Sequence, residues 1–313
     1  MLRRVIFILV IASMSGLAAA QGTTDTILFN GFSEGDIVRD QYMFRGIRFQ
    51  PDAAGGPFID DGGGLGFLLD SPPGLLSLSP FAYTGGSNQV HASVGTYVFN
   101  FVDPTNPFVP SFTDAVEVVV ALADFGDTVL TAYDADGNVI GTTTLTLSTF
   151  LFGHERLGVY APGIQKATLT TPLIQPTLGC LVDTLSFNQP LVLPAKPIEI
   201  DIKPGSQRNV IRLSDRGTVP VAILSAPGFQ PALIDPTKVL FQKASPISFQ
   251  MNDRNHDRQP DLILNFRVAD LMDLTTASTQ AGLTAVDTDG TSLTGVDDVV
   301  IQSGPRSGPP EEP

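Results

Sequence analysis

Oxygen-bearing side chains recur at alternating positions in one short segment toward the C-terminal end of the chain. Numbered as loop positions 1, 3, 5, 7 and 9, they are Asp253, Asn255, Asp257, Gln259 and Asp261, and position 7 offers its backbone carbonyl. Calcium prefers hard oxygen ligands, and this spacing allows a loop to wrap around a single ion. The segment therefore predicts a calcium-binding loop.

The same segment departs from helix-flanked calcium loops in two respects. It has no Glu at position 12, and Arg258 stands at position 6, where Gly usually makes the sharp turn. Both departures lower the expected affinity for calcium. Apolar residues then alternate through Leu262, Leu264 and Phe266, so the loop leads into a strand and not into a helix. The alternative is an Asp- and Asn-rich turn that binds no ion.

Two other Asp-rich strings, Asp134–Gly137 and Asp287–Gly290, resemble the start of a calcium loop. Their Asp and Gly residues favour tight turns, in which Gly supplies the positive φ. Ligand-bearing residues do not continue after them at the calcium-loop spacing. We therefore predict a hairpin turn at each string.

Sequence support for catalysis is weak. The His residues are His91, His154 and His256, and neither a His-Glu-x-x-His nor a Gly-x-Ser-x-Gly motif occurs. A glycosidase pair of carboxylates has no fixed spacing, so an enzyme acting on polysaccharides stays an alternative. The single Cys180 has apolar neighbours and is predicted to be a buried structural thiol. The Gly-rich stretch 55–66 is predicted to be a surface loop, because a phosphate loop needs a flanking strand and helix.

The N-terminus predicts export. Arg3 and Arg4 precede an apolar run over 5–11, and the small residues 18–20 provide a cleavage signal before Gln21. This run is shorter than the roughly 20 apolar residues of a membrane helix. We expect a soluble mature protein without a membrane span, either extracellular or periplasmic.

The charge of the chain excludes some partners. Its formal net charge is -14, and loss of Arg3 and Arg4 with the leader makes it -16. Nucleic acid and anionic lipid surfaces would be repelled by such a chain. The chain has no Trp, and only five Tyr could serve as stacking platforms for a sugar.

The periodicity of the mature chain is that of strands. Val116, Val118 and Val120 fall on one face of a β-branched run, and Thr residues alternate with apolar residues over 142–147. Similar short runs occupy Thr26–Phe32, Gly46–Gln50, Thr96–Val102, Ile164–Thr171 and Leu181–Phe187. At most one helical turn is expected, near Val268–Leu274. The sequence predicts an all-β fold built of β-sandwiches.

Length and composition divide the chain into parts. Closely spaced prolines indicate an extended linker between two domains. The predicted parts are a signal peptide at 1–20, a first β-sandwich at 21–190, a linker at 191–197, a second β-sandwich at 198–303 and a disordered tail at 304–313.

The first β-sandwich resembles a known class of module. Its motifs are Leu28-Phe29-Asn30-Gly31-Phe32-Ser33-Glu34-Gly35-Asp36, Gln41-Tyr42, Gly46-Ile47-Arg48-Phe49 and Val182-Asp183-Thr184-Leu185-Ser186-Phe187. They resemble the lectin-like, carbohydrate-binding-module-like jelly rolls of exported bacterial proteins, many of which carry a PEP-CTERM sorting tail. The resemblance implies a jelly roll and a structural calcium shared by Asp183 with Asn30, Glu34 or Asp36. The alternative is that Asp183 caps or solvates the end of a strand.

The second β-sandwich resembles an uncharacterised domain at the C-termini of secreted bacterial and archaeal proteins. Its motifs are Ile200-Asp201-Ile202-Lys203-Pro204-Gly205-Ser206, Gly217-Thr218-Val219-Pro220-Val221-Ala222-Ile223-Leu224, the Asp-rich loop and Gly295-Val296-Asp297-Asp298-Val299-Val300-Ile301. The resemblance implies an accessory module and no particular activity.

These features together predict a secreted, non-catalytic protein for binding or adhesion that is stabilised by calcium. Its expected partner is an extracellular polysaccharide or a cell-surface glycan. A polysaccharide-acting hydrolase and a structural component of the cell surface or matrix are the two alternatives.

Overall fold

The computed structural model describes residues 23–29, 38–50, 58–60, 75–77, 96–123, 126–148, 151–171, 181–206, 208–254 and 257–303. For 58–60, 75–77, 121–123, 151–154, 181 and 183, only the backbone is described.

Nearly all regular structure in these residues is strand. The first group is β1 (Thr24–Ile27), β2 (Ile47–Phe49), β3 (Phe58–Asp60), β4 (Leu75–Ser77), β5 (Thr96–Phe101), β6 (Thr113–Ala123), β7 (Gly126–Tyr133), β8 (Val139–Leu147), β9 (Leu151–Ile164), β10 (Lys166–Thr170) and β11 (Leu181–Asn188). The second group is β12 (Lys196–Pro197), β13 (Ile200–Ile202), β14 (Val210–Arg212), β15 (Thr218–Ile223), β16 (Ile234–Phe241), β17 (Ser248–Asn252), β18 (Asp261–Arg267), β19 (Gln280–Asp287), β20 (Ser292–Asp298) and β21 (Val300–Gln302). The helical segments described are the 3-10 turns Met43–Arg45, Pro231–Leu233 and Val268–Asp270. The all-β prediction is confirmed, and the last of these turns lies where one helical turn was expected.

Strands β1 to β11 form two antiparallel sheets. One has the order β3-β4-β11-β6-β9, with β1 also paired to β11, and the other has the order β2-β5-β10-β7-β8. Strands β5, β6 and β7 lie in alternate sheets, as do β8, β9, β10 and β11. The chain therefore crosses repeatedly between the two sheets, as in jelly rolls.

The core of this first sandwich follows from the period of two in its strands. Val116, Val118 and Val120 on β6 have no exposed surface, which confirms the predicted apolar face. Aromatic rings fill much of the same core, and the centroids of Phe49 and Phe99 lie 5.5 Å apart with an edge-to-face orientation. Burial of each such side chain stabilises the fold by about 1.5–3 kcal/mol.

Both Asp-rich strings predicted as turns join antiparallel strands, β7 to β8 and β19 to β20. Gly137 and Gly290 adopt φ of 82° and 81°, which a Cβ would disfavour. Asp134 and Asp287 each accept the backbone N–H groups two and four positions further on. The side-chain amide of Asn138 and these N–H groups hold the pKa of Asp134 below its ordinary value. The two strings therefore form hairpin turns, as predicted, and their first carboxylates also cap these turns.

Strands β12 to β21 surround a second hydrophobic cluster that extends from Ile200 to Ile301. One sheet has the order β12-β20-β19-β16 and the other β13-β15-β18-β17, while β14 and β21 form a small parallel pair. The rings of Phe241 on β16 and Phe266 on β18 meet across this core at 5.3 Å between centroids.

The segment predicted as a linker is held in place by hydrogen bonds. Leu191 donates its N–H to the carbonyl of Phe112 at 3.1 Å, and Leu193 donates to Asp103 Oδ2 at 2.8 Å. At its end, the strand Lys196–Pro197 pairs in parallel with β20. Neighbouring residues therefore fix the course of this segment.

Some sequence features lie outside the described residues. They include the predicted signal peptide, Cys180, His91 and the tail at 304–313, and only the backbone of His154 is described. Within the stretch predicted as a Gly-rich surface loop, residues Phe58–Asp60 form β3 and pair with β4. That prediction was wrong for β3, because its apolar residues Phe58 and Ile59 join a sheet edge.

Candidate functional site

The Asp-rich loop connects two neighbouring strands of the second sandwich. Strands β17 and β18 pair antiparallel, and their last pair before the loop is Asn252 with Asp261. On the other side of β18, strand β15 ends with Ile223 opposite Leu262. The residues that follow β15 therefore lie beside the end of the loop, and Ser225 is one of them.

Ser225 contacts two of the predicted calcium ligands. Its N–H donates to Asp261 Oδ1 at 2.7 Å, and its Oγ lies 2.9 Å from both Asp261 Oδ1 and Asp257 Oδ2. Asp261 has no exposed surface and Ser225 is 5% exposed. Because a hydroxyl has one proton, Ser225 Oγ can donate to only one of the two carboxylates at a time.

The loop backbone wraps around its own carboxylates. Asp253 Oδ2 accepts the N–H of Arg258 at 3.0 Å, Asp257 Oδ1 accepts the N–H of Gln259 at 2.7 Å, and Asp261 Oδ2 accepts the N–H of Arg254 at 2.6 Å. These bonds orient the side chains of Asp253, Asp257 and Asp261 relative to the loop backbone.

One buried carboxylate oxygen of the loop lacks a hydrogen-bond partner among the described residues. Asp253 Oδ1 is buried and makes no hydrogen bond with the described residues. A buried carboxylate oxygen that lacks a donor or a cation is costly. Asp253 stands at loop position 1, where calcium loops place a ligand, so its free oxygen fits an ion on chemical grounds.

Arg258 adopts the backbone conformation that position 6 of a calcium loop requires. Its φ is 68°, in the left-handed region where Gly is usual. The sharp turn therefore forms without Gly, at the cost of strain at Arg258.

The described residues supply only part of the predicted ligand set. Asn255 and His256 lie outside them. Among the residues whose placement is described, no three His, Cys, Asp or Glu side chains are grouped so as to hold a metal ion. Calcium takes six to eight oxygen ligands, so an ion at this loop needs amide and carbonyl oxygens beside the carboxylates.

The weaker predicted site falls largely outside the described residues. Asn30, Glu34 and Asp36 are not described, and of Asp183 only the backbone is. Strand β1 does pair with β11, with Ile27 opposite Leu185. The register of β11 against β6 shifts between Val182 and Thr184, so Asp183 lies at an irregularity of the sheet.

The structure also brings together polar residues that the sequence did not single out as a site. Asp297 Oδ2 accepts the N–H of Ile202 at 2.9 Å and the Nδ2 of Asn209 at 2.8 Å. Burial and the nearby charge of Asp297 raise the pKa of Asp201 above its ordinary value. Asn209 Oδ1 is buried and makes no hydrogen bond with the described residues. Asp201 and Asp297 lie in two separate sequence motifs of the second sandwich. They are neighbours in the fold because β13 lies beside β20.

Comparison with known proteins does not assign this chain to a family. No protein-family model matches the chain, and no curated protein matches it.

Several solved structures show a remote similarity to this chain. A structure of a 1.5-MDa bacterial ice-binding adhesin has 16% identity and a TM-score of 0.23, over 69% of this chain and 63% of the other. The Endo-D glycoside hydrolase domain of Streptococcus pneumoniae R6 has 11% identity and a TM-score of 0.28, over 89% of this chain and 43% of the other. The apo structure of BiXyn10A CBM1 has 10% identity and a TM-score of 0.21, over 52% of this chain and 96% of the other. The chain thus spans less than two thirds of the first two structures, and we transfer no function at this level of similarity.

In the described part of the chain, no helix is long and apolar enough to cross a membrane.

Proposed function

We propose that this chain is an extracellular or periplasmic, non-catalytic binding or adhesion protein whose second sandwich is stabilised by calcium at the loop Asp253–Asp261. The observation that carries the calcium proposal is the buried Asp253 Oδ1 at loop position 1, which makes no hydrogen bond with any residue that the structure describes. A cation would supply this oxygen with a partner that the described residues do not provide.

Each predicted ligand has a role in this proposal. Asp253 would bind through Oδ1, because Oδ2 is engaged by the N–H of Arg258. Asp257 and Asp261 would bring the carboxylates that converge on Ser225. Asn255 would contribute its amide oxygen and Gln259 its backbone carbonyl, and water would complete the coordination.

The contacts of the loop indicate what calcium would do for the fold. The loop joins β17 to β18, and Ser225 connects it to the end of β15. An ion in the loop would therefore tie three adjacent strands. Because it would bind the folded loop and not the unfolded chain, it would stabilise the fold by mass action.

The binding role itself is supported by the resemblance of the first sandwich to lectin-like jelly rolls. The proposed ligand is an extracellular polysaccharide or a cell-surface glycan. The acidic chain fits a neutral or cationic glycan better than an anionic one, because two negative charges repel.

Isothermal titration calorimetry of the full chain with CaCl2 tests the calcium site. We expect saturable binding that is lost in Asp253→Ala/Asp257→Ala. Asp136→Ala/Asp289→Ala removes the same charge from two exposed turns and should bind calcium as the wild type does. Equal heats of calcium binding for the two double variants would contradict a calcium site at this loop.

A glycan array probed with the full chain tests the binding role, and the same glycans are then incubated with the protein. Retention without cleavage is the expected result. Release of shortened products would contradict the non-catalytic proposal and favour a hydrolase. Self-assembly with no glycan retained would favour the structural alternative.

A further inference from the structure

Strand β17 is an edge strand with every residue exposed. The apolar side chains of β17 lie on one face of the strand, and so does that of Ile247, which directly precedes the strand. Ile247 is 50% exposed, Phe249 58% and Met251 42%. These three residues form an exposed apolar stripe at the edge of the second sandwich.

The stripe lies on the side of the sheet that faces the core. Phe249 and Met251 stand opposite Leu264 and Leu262 on β18, which are buried in the core. The facing sheet ends at β16, so nothing described covers β17. A cleft of about 520 Å³ opens here between Pro236 and Thr237 of β16 and the segment 245–249.

The charge of this edge distinguishes it from the chain as a whole. Residues 244–252 contain no charged side chain, although the chain has a formal net charge of -14. Natural edge strands are usually protected by Lys, Pro, a bulge or a covering segment. Strand β17 contains no Lys and no Pro. Two acidic copies of this chain can therefore meet along β17 without opposing carboxylates.

We propose that a second copy of this chain occupies this edge, with the two β17 strands antiparallel about a two-fold axis at Gln250. In this register Phe249 of one copy lies opposite Met251 of the other. Both residues share the apolar face, and a Met sulfur beside an aromatic ring is favourable. The two sheets then form one continuous sheet, and each copy covers the cleft of its partner.

The two-fold arrangement limits the size of the assembly. An isologous pair uses the same surface on both copies, so one pairing consumes both β17 edges and closes. Pairing through β17 does not require calcium at the Asp-rich loop. The experiments below therefore use one buffer of fixed calcium concentration.

Sedimentation equilibrium of the full chain tests the dimer. We expect dimerisation that strengthens with NaCl, because salt screens the repulsion between acidic copies. Met251→Lys should weaken it at least about tenfold, since each dimer then places two charges on the apolar stripe. Met272→Lys is the matched control, because Met272 is also exposed, at 56%, and lies outside β17 in the segment between β18 and β19. Circular dichroism checks that both variants stay folded.

Cysteine cross-linking tests the register, in a Cys180→Ala background. The two-fold places Gln250 against itself, so Gln250→Cys should form a disulfide-linked dimer under mild oxidation. Ser248→Cys lies on the same strand but faces Asn252 of the other copy, so it should not cross-link.

Three results would overturn the proposal. They are a wild type that stays monomeric at all concentrations and salt conditions, equal effects of Met251→Lys and Met272→Lys, and cross-linking of Ser248→Cys in preference to Gln250→Cys. Binding of a foreign strand or a neutral glycan by a monomeric wild type would identify another occupant of this edge.

Discussion

Ser225 donates its backbone N–H to Oδ1 of Asp261 at 2.7 Å, in a part of the second sandwich where Asp261 has no exposed surface. The bond links the segment after β15 to the first residue of β18. It also fixes the carboxylate at position 9 of the predicted calcium loop. The loop is thereby attached to strands on both sides of β18.

Asp261→Ala tests the importance of this attachment. It leaves the N–H groups of Ser225 and Arg254 without their acceptor. We expect a loss of about 2–4 kcal/mol in the free energy of unfolding, because the buried N–H of Ser225 loses this acceptor and a cavity forms. Urea unfolding measures the change. Asp289→Ala, on an exposed turn, is the control and should change stability by less than about 0.5 kcal/mol. Similar losses in the two variants would contradict the structural role of Asp261.

Arg258→Gly should stabilise the protein. The φ of 68° at Arg258 strains a residue with a Cβ, and Gly removes that strain. We expect a gain of about 1 kcal/mol, reduced by the greater freedom of Gly in the unfolded chain. Arg258→Ala removes the same charge and keeps the Cβ, so it should bring no gain. Equal stabilities of the Gly and Ala variants would show that the charge, and not the backbone, matters at this position.

Asp201 should make the protein less stable as the pH rises through the acidic range. Burial and the charge of Asp297 raise the pKa of Asp201 above 3.8, so the folded state holds its proton more tightly than the unfolded state. Stability therefore falls between pH 3.8 and the raised pKa. Asp201→Asn removes this loss and should have a higher Tm than the wild type at pH 7, with a smaller difference at pH 3. Thermal melting across this range measures it, and a difference that does not change with pH would contradict the prediction.

The stability that Asp25 contributes should change with pH in the opposite direction to that of Asp201. Burial raises the pKa of Asp25, but the hydrogen bonds and charge of Arg45 outweigh it, so the pKa lies below 3.8. Arg45 Nε donates to Asp25 Oδ2 at 2.9 Å, which ties β1 to the turn at Met43–Arg45. The pair contributes stability above pH 3.8 that is lost as the pH falls through the lowered pKa.

Arg45→Met tests this pair. It should cost about 1 kcal/mol at pH 7 and progressively less as the pH falls through the lowered pKa of Asp25. Urea unfolding at pH 7 and pH 2.5 measures both values. Arg48→Met is the control, because Arg48 pairs with the half-exposed Asp40 and should cost less at pH 7. A cost for Arg45→Met that is the same at both pH values would contradict an ionic contribution.

Local patterns predicted the fold well. The alternation of Val116, Val118 and Val120 identified a buried strand face, and Asp-x-Asp-Gly strings identified two hairpin turns. Both features depend on residues close together in sequence. The prediction that the Asp-rich segment is a loop leading into a strand rests on local sequence in the same way, and the segment does connect β17 to β18.

Contacts between distant strands could not be predicted in this way. Ser225 meets Asp261 because β15 pairs with β18, and Asp201 lies near Asp297 because β13 packs beside β20. Those relationships depend on strand order and register, which local periodicity does not contain. The exposure of β17 likewise depends on where the facing sheet ends, since its own apolar alternation resembles that of a covered strand.

The central claim is that calcium stabilises the second sandwich through the Asp-rich loop, and thermal unfolding by scanning calorimetry tests it most directly. At a free calcium concentration one hundred times the Kd, we expect about 2.7 kcal/mol of added stability and a higher Tm than in chelator. Asp253→Ala/Asp257→Ala should abolish the difference, and Asp136→Ala/Asp289→Ala should keep it. Identical wild-type transitions in calcium and in chelator would contradict the claim.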